Sequence, residues 1–115
     1  MKENLASFII QCRANYILGI RPAHQQSKDT EGYTALVQIA KSYFDANRYD
    51  DFAGNFMEGQ YFIDLWAAHL MLEYGQPNER QKEQCLEIIR RYTDNPLAPG
   101  AAIEEKIWPD NYQKA

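Results

Sequence analysis

The chain has 115 residues, 45% of them hydrophobic and 24% charged, with a formal net charge of −4. This describes one soluble globular domain with a single core. The acidic balance excludes a grip on nucleic-acid phosphates, which needs clustered Lys and Arg, and it suits a basic partner. The charge is unevenly spread. Residues 1–28 carry +3, residues 29–75 carry −6 and residues 76–115 carry −1.

In chain order, Leu5, Phe8, Ile9, Cys12 and Tyr16 recur at helical spacing and predict a first helix over Asn4–Leu18, stopped at Gly19. The run Ile20–Thr30, with Pro22, His24 and Ser27, lacks periodicity and reads as a surface loop. A second helix is expected from about Gly32 to Ala46 on the stripe Tyr33, Leu36, Val37, Ala40 and Tyr43, closed by Asn47. A short third helix turns Tyr49, Phe52, Ala53 and Phe56 inward, and places Asp51, Asn55 and Glu58 together on the opposite side. Breaks at Asn47 and Gly59 fit this pattern; the alternative keeps Gly54 and Gly59 inside one long helix.

The stretch Gln60–Tyr74 is apolar almost all the way round, interrupted only by Asp64, His69 and Glu73. A helix without a polar face must be enclosed by its neighbours, so it predicts the central element. It is too short and too interrupted to span a bilayer. Gly75-Gln76-Pro77-Asn78 then punctuates the chain. Gly75 suits a left-handed C-cap, and Asn78 with Gln81 forms a capping box for a helix over Glu79–Tyr92. Its stripe is Cys85, Ile88, Ile89 and Tyr92, and the short connection predicts an antiparallel hairpin. Thr93-Asp94-Asn95-Pro96 ends it. A last short helix follows Pro99-Gly100 with Ala102, Ile103 and Ile107 or Trp108 inward, stopped by Pro109, and the tail Asp110–Ala115 is unanchored. No β pattern of useful length exists, so the expectation is an all-α domain of five to six helices around the segment 60–74.

Signatures of chemistry are absent: no phosphate loop, no GxSxG, no HExxH and no zinc-ligand spacing. His69 and Glu73 lie one turn apart and would supply two metal ligands where a site needs three or four. The plainer reading pairs His69 with Glu73 or a backbone group inside the core. Cys12 and Cys85 have no CxxC or Cys/His partner and read as buried reduced thiols. Phe8-Ile9-Ile10 is soon followed by Gln11, Arg13 and Asn15, which does not read as a signal peptide, so a cytoplasmic location is expected. No catalytic residue, metal or cofactor is assigned.

Two features point outward. Eight tyrosines are present, with Tyr43, Tyr49, Tyr61 and Tyr74 in the acidic middle third. They either cap a small core or, with the acidic row, form a docking face for a basic protein. The segment DLWAAHLMLEYGQPNERQKEQCLEIIRRYTDNPLAPGAAIEE, through Ala67-Ala68, the Gly75 turn, the CLEIIRRY stripe and Ala101-Ala102, resembles a HEAT-like helical repeat unit. Small acidic proteins of this HEAT-like kind are similar to bacterial immunity proteins that neutralise toxins. The resemblance implies a toxin partner, but carries over no functional residue, and no repeat of fixed period runs through the chain.

These readings converge on a non-catalytic protein-binding module, an immunity- or antitoxin-like inhibitor whose acidic, tyrosine-bearing face covers a basic surface. The expected contacts are Tyr49, Asp50, Asp51, Asn55, Glu58 and Asp64. Nucleic acid and membrane are not expected partners. The alternatives are a self-associating structural or adaptor subunit using Ile107 and Trp108, and a metal protein or enzyme centred on His69 and Glu73.

Overall fold

Among the described residues six α-helices follow one another: α1 (Leu5–Leu18), α2 (Glu31–Asp45), α3 (Tyr49–Ala53), α4 (Ile63–Tyr74), α5 (Glu79–Thr93) and α6 (Pro99–Lys114). They are seen in a computed structural model that describes residues 5–94 and 98–114, with side chains over 7–94 and 98–109; no strand occurs among those residues. The expected start at Asn4, the Asn95-Pro96 stop and the tail side chains from Asp110 onward lie outside them.

The central helix is enclosed as its composition demands. Every residue of α4 from Ile63 to Leu72 is buried, Asp64 and His69 included. Each large apolar side chain so enclosed contributes about 1.5–3 kcal/mol relative to exposure. Helix α5 runs antiparallel to α4, since Tyr92 near its end reaches Asp64 near the start of α4. Helix α2 is likewise antiparallel to α1, where Asn15 Nδ2 donates to the Gly32 carbonyl at 3.1 Å; a Cβ on Gly32 would run into the Asn15 side chain. The two alanine pairs, Ala67-Ala68 and Ala101-Ala102, are all buried. Cys12 and Cys85 are buried free thiols, and burial pushes Cys12 far above the usual thiol range and Cys85 up to about 12.

Several local expectations change. The α-helical part of the central segment starts at Ile63 rather than Gln60, because Tyr61 and Phe62 both adopt left-handed backbone (φ 54 and 58) in a 3-10 turn over Gln60–Phe62. Gly75 is not left-handed: it is extended at φ −111, ψ −172. Glycine is needed there for space, since a Cβ would lie 3.0 Å from the Met71 carbonyl and 3.2 Å from the Phe44 ring. The segment 20–30 is more than a surface loop. It buries Ile20, Pro22, Ala23 and Ser27 and winds a 3-10 turn over Gln25–Asp29. The Ser27 hydroxyl organises it, accepting from the Arg21 N–H at 3.1 Å and lying 2.8 Å from His24 Nδ1. Thr30 then caps α2, its hydroxyl accepting from the Tyr33 N–H.

The last helix also differs. Pro109 does not stop α6, which continues to Lys114; the proline removes one backbone donor while its fixed φ remains helical. Its inward residues are Ala101, Ala102, Glu105 and Trp108, and Ile103 and Ile107 are exposed. The reason lies across the interface. Two polar groups on α4, His69 and Glu73, need partners, and leaving a buried charge unpaired costs more than exposing isoleucine.

Candidate functional site

Three of the six expected contact residues meet in one place. A cleft of about 470 Å³ is lined by Asn47, Arg48, Tyr49, Asp50, Asp51, Gln76, Asn78 and Gln81. Helix ends build it. Asn47, at φ 58, closes α2 in a Schellman motif, with the Arg48 N–H donating to the Tyr43 carbonyl at 2.8 Å and the Asn47 N–H to that of Phe44 at 2.9 Å. This turn lays the Arg48 guanidinium 4.7 Å over the Tyr43 ring, and its Nε donates to Asp51 Oδ2 at 2.9 Å. On the opposite wall, Asn78 and Gln81 form the expected capping box of α5.

Tyr49 joins the two walls. Its ring stacks on Phe44 at 4.8 Å, and its hydroxyl accepts the Gln76 N–H at 2.9 Å. Asp50 is exposed, with Gln81 Nε2 donating to its Oδ1 at 3.3 Å. The other expected contacts lie elsewhere. Glu58 is exposed but outside the cleft, accepting the Gln60 N–H. Asn55 is only 3% exposed: after Ala53 the chain tightens into a 3-10 turn over Gly54–Met57, which changes the rotation per residue and swings Asn55 inward, where Nδ2 donates to the Phe52 carbonyl. Asp64 is 9% exposed and accepts from the Tyr92 hydroxyl and the Leu65 N–H, both at 2.8 Å. Burial pushes its carboxyl above the usual range against those two donors. Neither Asn55 nor Asp64 belongs to a docking face. Nor do the tyrosines form one: Tyr43 is buried, Tyr61 and Tyr74 pack on the core edge, and Tyr49 alone shares the cleft with the acidic residues.

The second polar constellation is internal. His69 Nδ1 lies 3.0 Å from Glu73 Oε2, and Nε2 lies 2.6 Å from Glu105 Oε1 on α6. Burial alone would drive the imidazole neutral, but the Glu105 and Glu73 carboxylates outweigh it and hold its pKa up to about 9. The ring is therefore an imidazolium at neutral pH, donating to both. Glu73 Oε2 also accepts the Trp108 indole N–H at 3.0 Å, and Lys28 Nζ approaches Glu73 Oε1 at 3.9 Å. The pairing with Glu73 is as the sequence suggests; Glu105 and Trp108 were not foreseen. Their signal is the inward stripe 101, 102, 105, 108, in which the glutamate stands at a core position. The two carboxylates occupy opposite ring nitrogens, so the three groups share no common point where a metal would bind, and no group of three His, Cys, Asp or Glu among the described residues has metal-holding geometry. None of the residues lining the cleft belongs to this knot.

Among the described residues no helix is long and apolar enough to cross a membrane. No protein-family model, curated protein or solved structure matches the chain.

Proposed function

We propose that this chain is a non-catalytic protein-binding module, an immunity- or antitoxin-like inhibitor that covers a basic surface of a toxin partner through the Tyr49-Asp50-Asp51 cleft. The observation that carries this reading is the contrast in hydrogen bonding. The buried Asp64, His69 and Glu105 are matched internally, whereas among the described residues the cleft's Asp50 accepts one long contact and its Tyr49 hydroxyl accepts the Gln76 N–H without donating to another group. Surface carboxylates beside a rigid aromatic steer a basic partner and then dock it. Inhibition follows from occlusion: a helical body seated over an active site or substrate groove excludes substrate without chemistry of its own.

The test is co-expression with the product of a toxin-like reading frame adjacent to this chain's own. Protection of the host and a stable complex are expected. Asp50→Lys with Asp51→Lys should cut the association rate at least about tenfold while leaving the fold intact. Protection that survives this reversal would refute the reading. A second reading, self-association, draws on the exposed Ile10, Ile17 and Leu18 of α1 and Ile103 and Ile107 of α6. Trp108, buried against His69, takes no part in it. Sedimentation that stays monomeric across a wide concentration range would remove it.

A further inference from the structure

We infer that the cleft seats an arginine side chain of the partner, with Asp50 receiving its guanidinium; this rests on the basic-partner reading above and names the group that the cleft recognises. The cleft already shows how a guanidinium lies beside it. Arg48 spreads its planar group over the Tyr43 ring and donates to Asp51. That pairing engages Arg48 with Asp51, whereas Asp50, also lining the cleft, has no ion pair among the described residues and accepts only the 3.3 Å contact from Gln81.

The remaining lining favours a fork over a point charge. Asn47 and Gln76 line the cleft along with Asp50, and each carries a side-chain amide oxygen able to accept a hydrogen bond. A guanidinium offers five donors in one plane and reaches several such acceptors together, whereas an ammonium focuses three donors at one atom. At the α5 N-terminus the Gln81 N–H is already held by Asn78 Oδ1 at 2.8 Å, and Glu79 adds negative charge to the first turn. A volume of about 470 Å³ accommodates one long side chain with flanking backbone. The Asp50 carboxylate would accept two parallel N–H bonds on its open edge, exchanging a 3.3 Å contact for a charge-assisted pair.

The probes are capped tripeptides with a central arginine, lysine or citrulline, titrated into the full-length protein while backbone amide NMR signals are followed. The arginine peptide is expected to give saturable shifts at Tyr49, Asp50, Gln76 and Gln81. The lysine peptide should bind several-fold more weakly, and citrulline, the same shape without charge, should give no saturation. Asp50→Asn should weaken arginine-peptide binding about tenfold with the rest of the spectrum unchanged. Shifts equal for arginine and citrulline, shifts centred elsewhere, or no saturation up to about 50 mM would overturn the assignment. So would an affinity unchanged in Asp50→Asn. If the co-expressed toxin-like protein is still bound and sensitive to the Asp50 and Asp51 reversal while these peptides leave the cleft unmoved, the inhibitor reading stands and only the arginine assignment falls.

Discussion

Two polar constellations in this molecule use the same carboxylate chemistry in opposite settings. In the knot of His69, Glu73, Glu105 and Trp108, the ring and its closest carboxylate are almost fully enclosed and the interaction is internal. In the cleft, Asp50 and Asp51 stand in water, held by one long amide contact and one exposed ion pair. Removing a partner from an enclosed pair leaves a desolvated charge, while removing one from an exposed pair changes little. The knot therefore belongs to the fold, joining α6 to α4, and the cleft is free to serve something outside it.

The sharpest way to break this contrast is Glu105→Ala. It strands a buried imidazolium and is expected to cost about 3–5 kcal/mol in urea unfolding. A loss below about 1 kcal/mol would mean that the knot does not hold α6. Next comes pH. The folded pKa of His69 is about 9, above the ordinary 6.5, so its contribution is fully present below pH 6.5 and is lost as pH rises through 9. The decline should be on the order of 3 kcal/mol across that window, and His69→Gln should flatten it. Equal slopes in both proteins would remove the imidazolium from the account.

Smaller effects sharpen the comparison. Gly75→Ala presses a methyl group on Phe44 and the Met71 carbonyl and should cost about 1–3 kcal/mol, a packing penalty independent of pH. Asp50→Asn, the same loss of carboxylate charge at the cleft, should change stability by no more than about 0.5 kcal/mol. A large destabilisation there would make Asp50 a structural residue and weaken its assignment to a partner.

What the sequence made legible followed from periodicity and capping. The apolar segment before Gly75 is the core helix, and Asn47, Asn78 and Gln81 cap as their side chains allow. The illegible parts are those in which tertiary demand overrode local pattern. Glu105 turned inward and Ile103 and Ile107 outward because His69 needed a counter-charge, which no count of apolar residues on α6 would register. Asn55 left the acidic row through a change from α to 3-10 winding, and Asp64, an expected contact, lies on the enclosed α4 where Tyr92 meets it from across the hairpin. Tyr49, Asp50 and Asp51 were identifiable as a run, but the opposite wall at Gln76, Asn78 and Gln81 comes from another part of the chain and meets them only in the fold.

The most direct measurement is amide hydrogen exchange on the chain alone and in the presence of the toxin-like protein proposed above as its partner. Added protection is expected at residues 47–51 and 76–81 flanking the cleft, with exchange around His69 and Glu105 unchanged. Protection confined to the exposed apolar faces of α1 or α6, with the cleft as open in the complex as in the free chain, would contradict it.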